Sequence, residues 1–237
     1  MLYLLIGALA IASVLGASHH DRSAAAHCSQ KYEFDYILLA VQWPETFCET
    51  QACIKAKDQW QIHGAWPENN DGTYPQNCCT NEPFEMDKLD AELVRRLIAS
   101  WGTLKSHGSN QEFWQHEYEK HGTCAIKSPK LKTQVDYFKN TLDLFEKSIK
   151  IEKWFEAAGI TTSKDKTYKM TDVHSAIHKG LGHTVQIECI KSKRHHAQVF
   201  QQINFCINKD TLQPMDCPVS RDRGCSAEQI AYLPIAN

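Results

Sequence analysis

Two hydrophobic patterns run along this 237-residue chain, and each predicts a different kind of element. Alternating apolar positions, or an unbroken apolar run in the first case, predict strands at 34–42, 185–189 and 203–207. Apolar residues spaced three and four apart predict helices at 89–98 and 135–149, and two short helices are predicted at 154–158 and 172–179. We expect Asp87 to cap the first helix and the tail after Cys225 to be loosely ordered. Because these elements are mixed without strand–helix–strand regularity, the pattern predicts an α+β fold whose mostly antiparallel central sheet is flanked by helices.

The first residues form a separate apolar segment. Leu2 to Leu15 are almost entirely apolar, and no Asp, Glu, Lys or Arg precedes Asp21. Fourteen residues are short for a membrane span but typical of a signal-peptide core. A membrane anchor is the less favoured alternative, because no stop-transfer pattern flanks the run. We therefore expect a signal peptide at 1–17, a single domain at 28–237, and no membrane segment in the mature form.

Ten cysteines bear on the compartment in which the protein folds. None of them has the C-x-x-C spacing of many zinc sites, so disulfides that staple the domain are the favoured interpretation. Disulfides persist in oxidising compartments, which predicts a secreted, extracellular or lysosomal protein that enters the secretory pathway. The chain has no N-x-S/T sequon, so N-glycosylation is not expected.

The segment FWQHEYEKHGTC, at 113–124, carries the densest set of reactive side chains. If it is helical up to His121 and ends at Gly122, residues four apart share a face. His116 then lies above Lys120, and Glu117 lies above His121. Two cations beside a carboxylate–imidazole pair suit the binding of a phosphate and the transfer of a proton. The spacing H-E-x-x-x-H would separate two ligands by about 140° on a regular helix, so no metal is expected.

A second candidate segment, WQIHGAWPENN, occupies 60–70. We interpret Gln61 to His63 as the end of a strand, with Gly64 allowing close backbone approach and Pro67 preventing continuation of regular structure. A histidine at a strand end between two tryptophans is well placed to line a cleft. Together with the downstream cluster, it suggests general acid–base cleavage of a phosphodiester by two histidines on separate elements.

These two segments resemble the active-site segments of the ribonuclease T2 family, whose usual forms are IHGLWP and FWxHEWxKHGTC. The resemblance extends to VQWPETFC at 41–48 and NNDGTYPQNC at 69–78, and it covers the chain after residue 30. It implies an endoribonuclease that cleaves single-stranded RNA, with low base specificity, through a 2′,3′-cyclic phosphate to 3′-phosphate ends.

The same resemblance implies a role for each catalytic residue. His63 would protonate the departing 5′-oxygen, and His121 would take the proton of the 2′-hydroxyl. His116 would bind the phosphate, while Glu117 and Lys120 would stabilise the charged transition state. We also expect Glu117 to hold the ring of His121 and favour its charged form. Unperturbed imidazoles near ~6.5 predict a bell-shaped pH profile at mildly acidic pH, without cofactor or metal.

Substrate binding is expected to depend on stacking rather than on reading of base edges. The resemblance implies that Trp66 and Tyr74 hold the base on the 5′ side of the scissile bond. Gln42 and Phe113 are weaker candidates for the 3′ side, and Trp60 and Trp114 are interpreted as structural. Two positions depart from the family pattern: Ala65 replaces the usual leucine, and Glu68, a further substrate-binding candidate, replaces the common Asp or Asn. Both changes leave base preference open.

The resemblance also implies the disulfide pairs Cys48–Cys53, Cys189–Cys225 and Cys206–Cys217. It pairs Cys124 with either Cys78 or Cys79, and the remaining cysteine would then reach Cys28.

The formal charge of −2 excludes a strongly basic nucleic-acid binder. Protonation of all twelve histidines would change that charge to +10, so RNA affinity is expected to rise as pH falls.

Two alternative functions remain open. One is a signalling or cytotoxic protein that acts by binding a partner, with cleavage secondary or absent, although no obligate protein partner is expected. The other is a metal-dependent nuclease.

Overall fold

The computed structural model describes residues 32–54, 57–78, 83–218 and 222–236. Lys31–Asn237 form one compact unit. The predicted signal peptide at 1–17, Cys28 and Cys79 lie outside the described residues. Within the described ranges, no helix has both the length and the apolar character needed to cross a bilayer.

Strands and helices alternate irregularly along the chain. The strands are β1 (Tyr36–Gln42), β2 (Gln61–Glu68), β3 (Thr167–Lys169), β4 (Gln186–Lys191), β5 (Gln198–Asn208), β6 (Pro214–Met215) and β7 (Gln229–Ala231). The helices are α1 (Pro44–Cys48), α2 (Ala91–Ser100), α3 (Asn110–Glu117), α4 (Gln134–Ser148), α5 (Ile151–Ala157) and α6 (Met170–Leu181). A π-helical segment at Tyr118–Gly122 and a short α-helical turn at Thr123–Ala125 continue α3, and a 3₁₀ turn at Met86–Lys88 precedes α2.

The described strands form one sheet of seven, in the order β2-β1-β5-β7-β3, with β4 and β6 also paired to β5. The pairings between these strands are antiparallel except for a parallel bridge between Val199 of β5 and Ala231 of β7. This confirms the predicted α+β fold with a mostly antiparallel sheet. The sheet places β2 at an edge, next to the long central strands.

The two faces of the central strands differ in chemistry, because successive side chains point to opposite sides. On one face, Ile37, Leu39 and Val41 of β1 join the main apolar core with residues from the helices. The other face carries Gln42 of β1 and Gln202 of β5, which lie opposite each other and are both buried. A small apolar cluster of Tyr36, Leu38, Cys206 and Cys217 packs on this same face, and beside it the buried amides need hydrogen-bond partners.

Side-chain caps mark the start of α2 and of α3. The side chain of Asp90, not that of Asp87, accepts a hydrogen bond from the backbone N–H of Leu93 at 2.7 Å and caps α2. The predicted cap was therefore wrong, because Asp87 lies in the preceding 3₁₀ turn. α3 begins with a capping box, in which Ser109 and Glu112 each accept a hydrogen bond from the other's backbone N–H.

The C-terminal segment is part of the core, so the predicted loose tail was wrong. The indole of Trp43 donates to the backbone carbonyl of Leu233 at 2.8 Å, and that of Trp60 donates to the hydroxyl of Tyr232 at 3.0 Å. Ile230 of β7 is fully buried. The tail is held because it supplies apolar side chains to the same cluster of aromatic rings.

The disulfides Cys48–Cys53, Cys189–Cys225 and Cys206–Cys217 form as predicted. Cys124 bonds to Cys78, with the two Cα atoms 5.0 Å apart, which resolves the choice left open by the sequence. The predicted pairing of Cys28 with Cys79 lies outside the described residues. The Cys78–Cys124 bond ties the loop after β2 to the end of the helix that carries His121.

We expect the double variant Cys78→Ser/Cys124→Ser to lose about 4 kcal/mol of unfolding free energy, because the bond closes a chain separation of 46 residues. The matched control Cys48→Ser/Cys53→Ser, which opens a separation of 5 residues, is expected to lose about 2 kcal/mol. Urea unfolding of both variants measures the difference. Equal losses would show that loop closure does not govern their contribution.

Candidate active site

The fold brings the two histidine segments to one cleft. Its walls include His63 from β2 and His116, Lys120 and His121 from the helix, and its volume is about 260 Å³. The indole of Trp66 lies between the imidazoles of His63 and His121. Its ring centroid is 5.0 Å from that of His63 and 5.3 Å from that of His121. The two imidazoles therefore line a common space, although 58 positions of sequence separate them.

His63 occupies a β-bulge rather than a strand end. In the pairing of β1 with β2, Ala40 faces Gly64 and Val41 faces Ile62, so His63 has no partner on β1. A bulge re-aims the side chain of the extra residue. The prediction that β2 ends at His63 was wrong: the strand continues through Pro67, which is tolerated because β2 is an edge strand.

The prediction that the helix ends at Gly122 was wrong, because the helix continues through the π-helical segment and the turn after it. Gly122 has helical backbone angles, and a Cβ there would overlap the ring of Tyr118, so glycine is required for close packing. Hydrogen bonds in a π-helix span five residues, which brings positions five apart toward one side. His116 and His121 consequently line the same cleft.

The spacing of His116 and His121 therefore no longer argues against a metal, because a divergence of about 140° between them holds only for a regular α-helix. Within the described ranges, no three His, Cys, Asp or Glu side chains converge as ion ligands. Metal independence stays a prediction.

Glu117 bonds to Trp66 rather than to His121. Its Oε2 accepts the indole N–H of Trp66 at 2.9 Å, whereas Nδ1 of His121 is buried and has no hydrogen-bond partner in the part of the chain that the structure describes. The expectation that Glu117 holds the ring of His121 was therefore wrong, because the π-helical segment shifts His121 out of the α-helical register. Gly64 lies directly beneath the Trp66–Glu117 bond, and a Cβ at this position would overlap both side chains.

The imidazoles of the cleft are all harder to protonate than a free histidine. Burial, followed by the charges of Lys120, His116 and His63, lowers the pKa of His121 from 6.5 to about 3. Burial also lowers the pKa of His63, although the hydrogen bond to Gln202 opposes this shift. For His116, burial and the charge of Lys120 lower the pKa as well. Protonation of these rings consequently requires acid or a bound anion.

The carboxyl groups shift in the opposite direction. Burial raises the pKa of Glu117 from 4.5 to about 7, against the hydrogen bond from Trp66 and the charge of Lys120. Burial likewise raises the pKa of Glu68 to about 7, against the charge of Arg223. In acid, both carboxyls are neutral and do not repel a phosphate.

A second cleft of about 330 Å³ lies on the other side of the catalytic candidates. His63, His116 and Glu117 line both clefts and so form their common wall. We call the first the Trp66 cleft and the second the Phe113 cleft, after the aromatic residue in each. Two recesses on either side of a shared wall that carries two imidazoles match a dinucleotide whose phosphate lies between its bases.

A model of the ribonuclease T2 family matches residues 34–217 of this sequence. The chain belongs to the ribonuclease T2 family. It is 34% identical over 194 residues to extracellular ribonuclease LE of Solanum lycopersicum, which covers 79% of this chain and 82% of that one. It is 30% identical over 212 residues to intracellular ribonuclease LX of the same organism, with 86% of each chain covered.

Among solved structures, RNase NT in complex with 5′-AMP superposes with a TM-score of 0.76 at 28% identity. The match covers 86% of this chain and 100% of that one. These similarities make the chain a ribonuclease T2 family endoribonuclease.

In this ribonuclease, the candidates for the 5′-side base share the Trp66 cleft. Tyr74 is 54% exposed at its mouth and free to stack. Trp66 is more enclosed, because its edge bonds to Glu117 and its ring contacts both outer histidines. Glu68 is buried at the cleft wall near Arg223. Trp66 thus contacts both outer candidate histidines, His63 and His121, as well as offering a stacking surface.

The candidates for the 3′-side base share the Phe113 cleft. The ring of Phe113 stacks on His63 at a centroid distance of 6.5 Å, and Gln42 is buried at the floor. Trp60 and Trp114 are fully buried in the core, in keeping with their structural interpretation.

Sequence reasoning missed several residues of the site. Arg223 lines the Trp66 cleft, and Lys105 and His107 line the Phe113 cleft. The Cys189–Cys225 bond offered a signal for Arg223, because it fixes the segment before Cys225 beside β4. Lys105 and His107 lie in a loop without any motif.

Proposed function

We propose that this endoribonuclease cleaves single-stranded RNA by metal-independent transphosphorylation between two histidines. His121 removes the proton of the ribose 2′-hydroxyl, which attacks the phosphorus, and His63 protonates the departing 5′-oxygen. A 2′,3′-cyclic phosphate forms, and water later opens it to a 3′-phosphate. The observation that carries this proposal is the placement of both imidazoles against Trp66 in one cleft.

The environment of each ring supports its role. A pKa of about 3 keeps His121 neutral, as a base must be, down to strongly acidic pH. Its Nδ1 is buried with no hydrogen-bond partner within the described residues, so Nε2 is the ring nitrogen through which His121 would take the substrate proton. His63 bonds through Nδ1 to Gln202 at 3.1 Å, which leaves Nε2 to donate to the leaving oxygen.

The remaining groups hold the phosphate and its developing charge. His116 and Lys120 supply positive charge beside the position of the phosphorus. Glu117, with a pKa of about 7, is a neutral acid below that pH and donates a hydrogen bond to a phosphoryl oxygen. DNA does not react because it lacks the 2′-hydroxyl.

Base binding divides between the two clefts. Trp66, Glu68 and Tyr74 hold the base on the 5′ side, and Gln42 and Phe113 contact the base on the 3′ side. The complex of RNase NT with 5′-AMP supports nucleotide binding in this fold. Stacking on aromatic rings tolerates every base, which accounts for low specificity.

The chain is proposed to enter the secretory pathway through a signal peptide at 1–17 and to act outside the cell or in lysosomes. Four disulfides among the described residues support an oxidising compartment. The extracellular relative supports the same route.

The test is the pH dependence of kcat/KM on a dinucleoside monophosphate with chelator present. As pH rises, activity is expected to increase through about pH 3, where His121 loses its proton, and to decrease again at a pH below 6.5, where His63 loses its proton. The optimum is thus more acidic than unperturbed imidazoles predict. Loss of activity in chelator, or a plateau that persists above pH 7, would contradict the mechanism.

A further inference from the structure

A line of hydrogen bonds leads away from His63 across the polar face of the sheet. Nδ1 of His63 lies 3.1 Å from Oε1 of Gln202, and Nε2 of Gln202 donates to Oδ1 of Asn204 at 2.9 Å. Nδ2 of Asn204 then donates to Oε1 of Glu188 at 2.9 Å. The guanidinium of Arg223 lies 3.8 Å from the same oxygen of Glu188. The line therefore begins at a catalytic ring and ends at an ion pair.

The sheet register builds this line. Gln202 and Asn204 are two residues apart on β5 and so point to one face, while Glu188 of β4 faces Gln202 directly. β1 lies between β2 and β5, and the bulge at His63 turns its ring across that strand toward Gln202. Each of the three polar residues is held on a strand rather than on a loop.

The direction of the line is fixed at its far end. A carboxylate only accepts hydrogen bonds, so the amide of Asn204 must turn its NH₂ group toward Glu188. Its oxygen then faces Gln202, whose NH₂ group must point toward Asn204. The oxygen of Gln202 is thereby left for His63, and Nδ1 of that ring must carry the proton.

Packing alone does not account for these residues. Asn204 is fully buried and Gln202 is 4% exposed. Apolar residues of similar size would satisfy the same space without the cost of desolvating two amides. A fully connected polar line at the centre of a sheet indicates a purpose beyond stability.

We propose that Gln202, Asn204 and Glu188 are positioning residues that fix the tautomer and orientation of His63. This inference rests on the proposed function, in which Nε2 of His63 donates the proton to the leaving oxygen. Glu188 on β4 fixes the orientation of the two amides on β5, and these amides in turn fix the ring of His63 on β2. Arg223, which also lines the Trp66 cleft, keeps a cation beside Glu188.

The line also opposes the effect of burial on His63. The bond to Gln202 and the charge of Glu188 raise the pKa of that ring, whereas burial and the charges of His116 and Lys120 lower it. Glu117 also lines both clefts beside the ring. Removal of the charge of Glu188 therefore moves the protonation of His63 to lower pH.

The isosteric variant Glu188→Gln tests the proposal, because a side-chain amide can both donate and accept and no longer fixes the direction of the line. We expect kcat to fall about 10-fold with KM nearly unchanged, and the falling limb of the pH profile to move to lower pH. The ¹⁵N resonances of neutral His63 should change from a single Nδ1–H tautomer to a mixture. The control Glu49→Gln alters a half-buried carboxylate that accepts from Ser192 at 2.7 Å, and it should change none of these readouts.

The His63→Ala background separates this inference from the proposed function. There, Glu188→Gln should have no further effect on the residual rate, because the line has no ring to hold. An unchanged tautomer and pH profile in Glu188→Gln, with activity still lost in His63→Ala, would overturn the positioning role alone. Full activity in His63→Ala would overturn the proposed function.

Discussion

Replacement of His121 by alanine is expected to lower kcat/KM for RNA cleavage by about 10³-fold. Burial lowers the pKa of His121 to about 3, so this imidazole stays neutral and able to accept a proton down to strongly acidic pH. His63→Ala should cause a loss of similar size on RNA, because an alkoxide leaves poorly without a proton. Steady-state kinetics on a dinucleoside monophosphate measures both variants.

A substrate with a better leaving group distinguishes the two roles. A uridine 3′-phosphate ester of nitrophenol releases an anion that needs no proton, so His63→Ala should cleave it at nearly the normal rate. His121→Ala should remain slow on the same ester, since the 2′-hydroxyl still has to be deprotonated. If the ester restored His121→Ala instead, the acid and base assignments would be reversed.

A matched control is available on α6. His178 is exposed and lines neither cleft, so His178→Ala should leave kcat/KM for both substrates unchanged. A biological effect that survives loss of cleavage in the two catalytic variants would favour action through a bound partner.

The variant Gly64→Ala is expected to lose about 10²-fold in kcat/KM, although it adds a single methyl group. The new Cβ would overlap both Nε1 of Trp66 and Oε2 of Glu117, so the hydrogen bond between them must break. Trp66 contacts the rings of both His63 and His121, and its displacement moves acid and base together. Kinetics combined with thermal unfolding measures activity and stability separately.

Gly102→Ala provides the comparison for that variant. An added Cβ at Gly102 meets its nearest neighbours at 3.3 Å, and the residue lines neither cleft. We expect Gly102→Ala to retain most of its activity. Equal losses of kcat/KM in the two variants would show that the effect of Gly64→Ala comes from general destabilisation rather than from the Trp66–Glu117 contact.

The motifs predicted which residues line one cleft, because the sequence around His63 and from His116 to His121 is recognisable whatever type of helix the second segment forms. They did not predict how the residues meet. A regular helix was assumed after Glu117, whereas the chain adopts a π-helical segment there. That segment places an extra residue in one turn, and no periodicity of apolar positions signals it.

The bulge at His63 was missed for a related reason. Residues 61–68 alternate imperfectly, and Pro67 suggested an end to the strand, although an edge position tolerates it. Gln202 and Asn204 were also missed, since they stand within an apolar alternation that predicts core packing on one face alone. Their partners become known only once β4, β1 and β2 are placed beside β5.

The opposite pKa shifts in the cleft have a consequence for the acid tolerance of the fold. Glu117 and Glu68 titrate near 7 in the folded state and near 4.5 when unfolded, so folding takes up protons and gains stability as pH falls through that window. His121 titrates near 3 when folded and near 6.5 when unfolded, so it withdraws stability over an overlapping range. The lowered pKa values of His63 and His116 act in the same direction as that of His121, so three imidazoles withdraw stability as pH falls below 6.5, while the two carboxyls oppose them down to about pH 4.5. Burial of the two carboxyls thus reduces the loss of stability in mild acid that burial of the imidazoles causes.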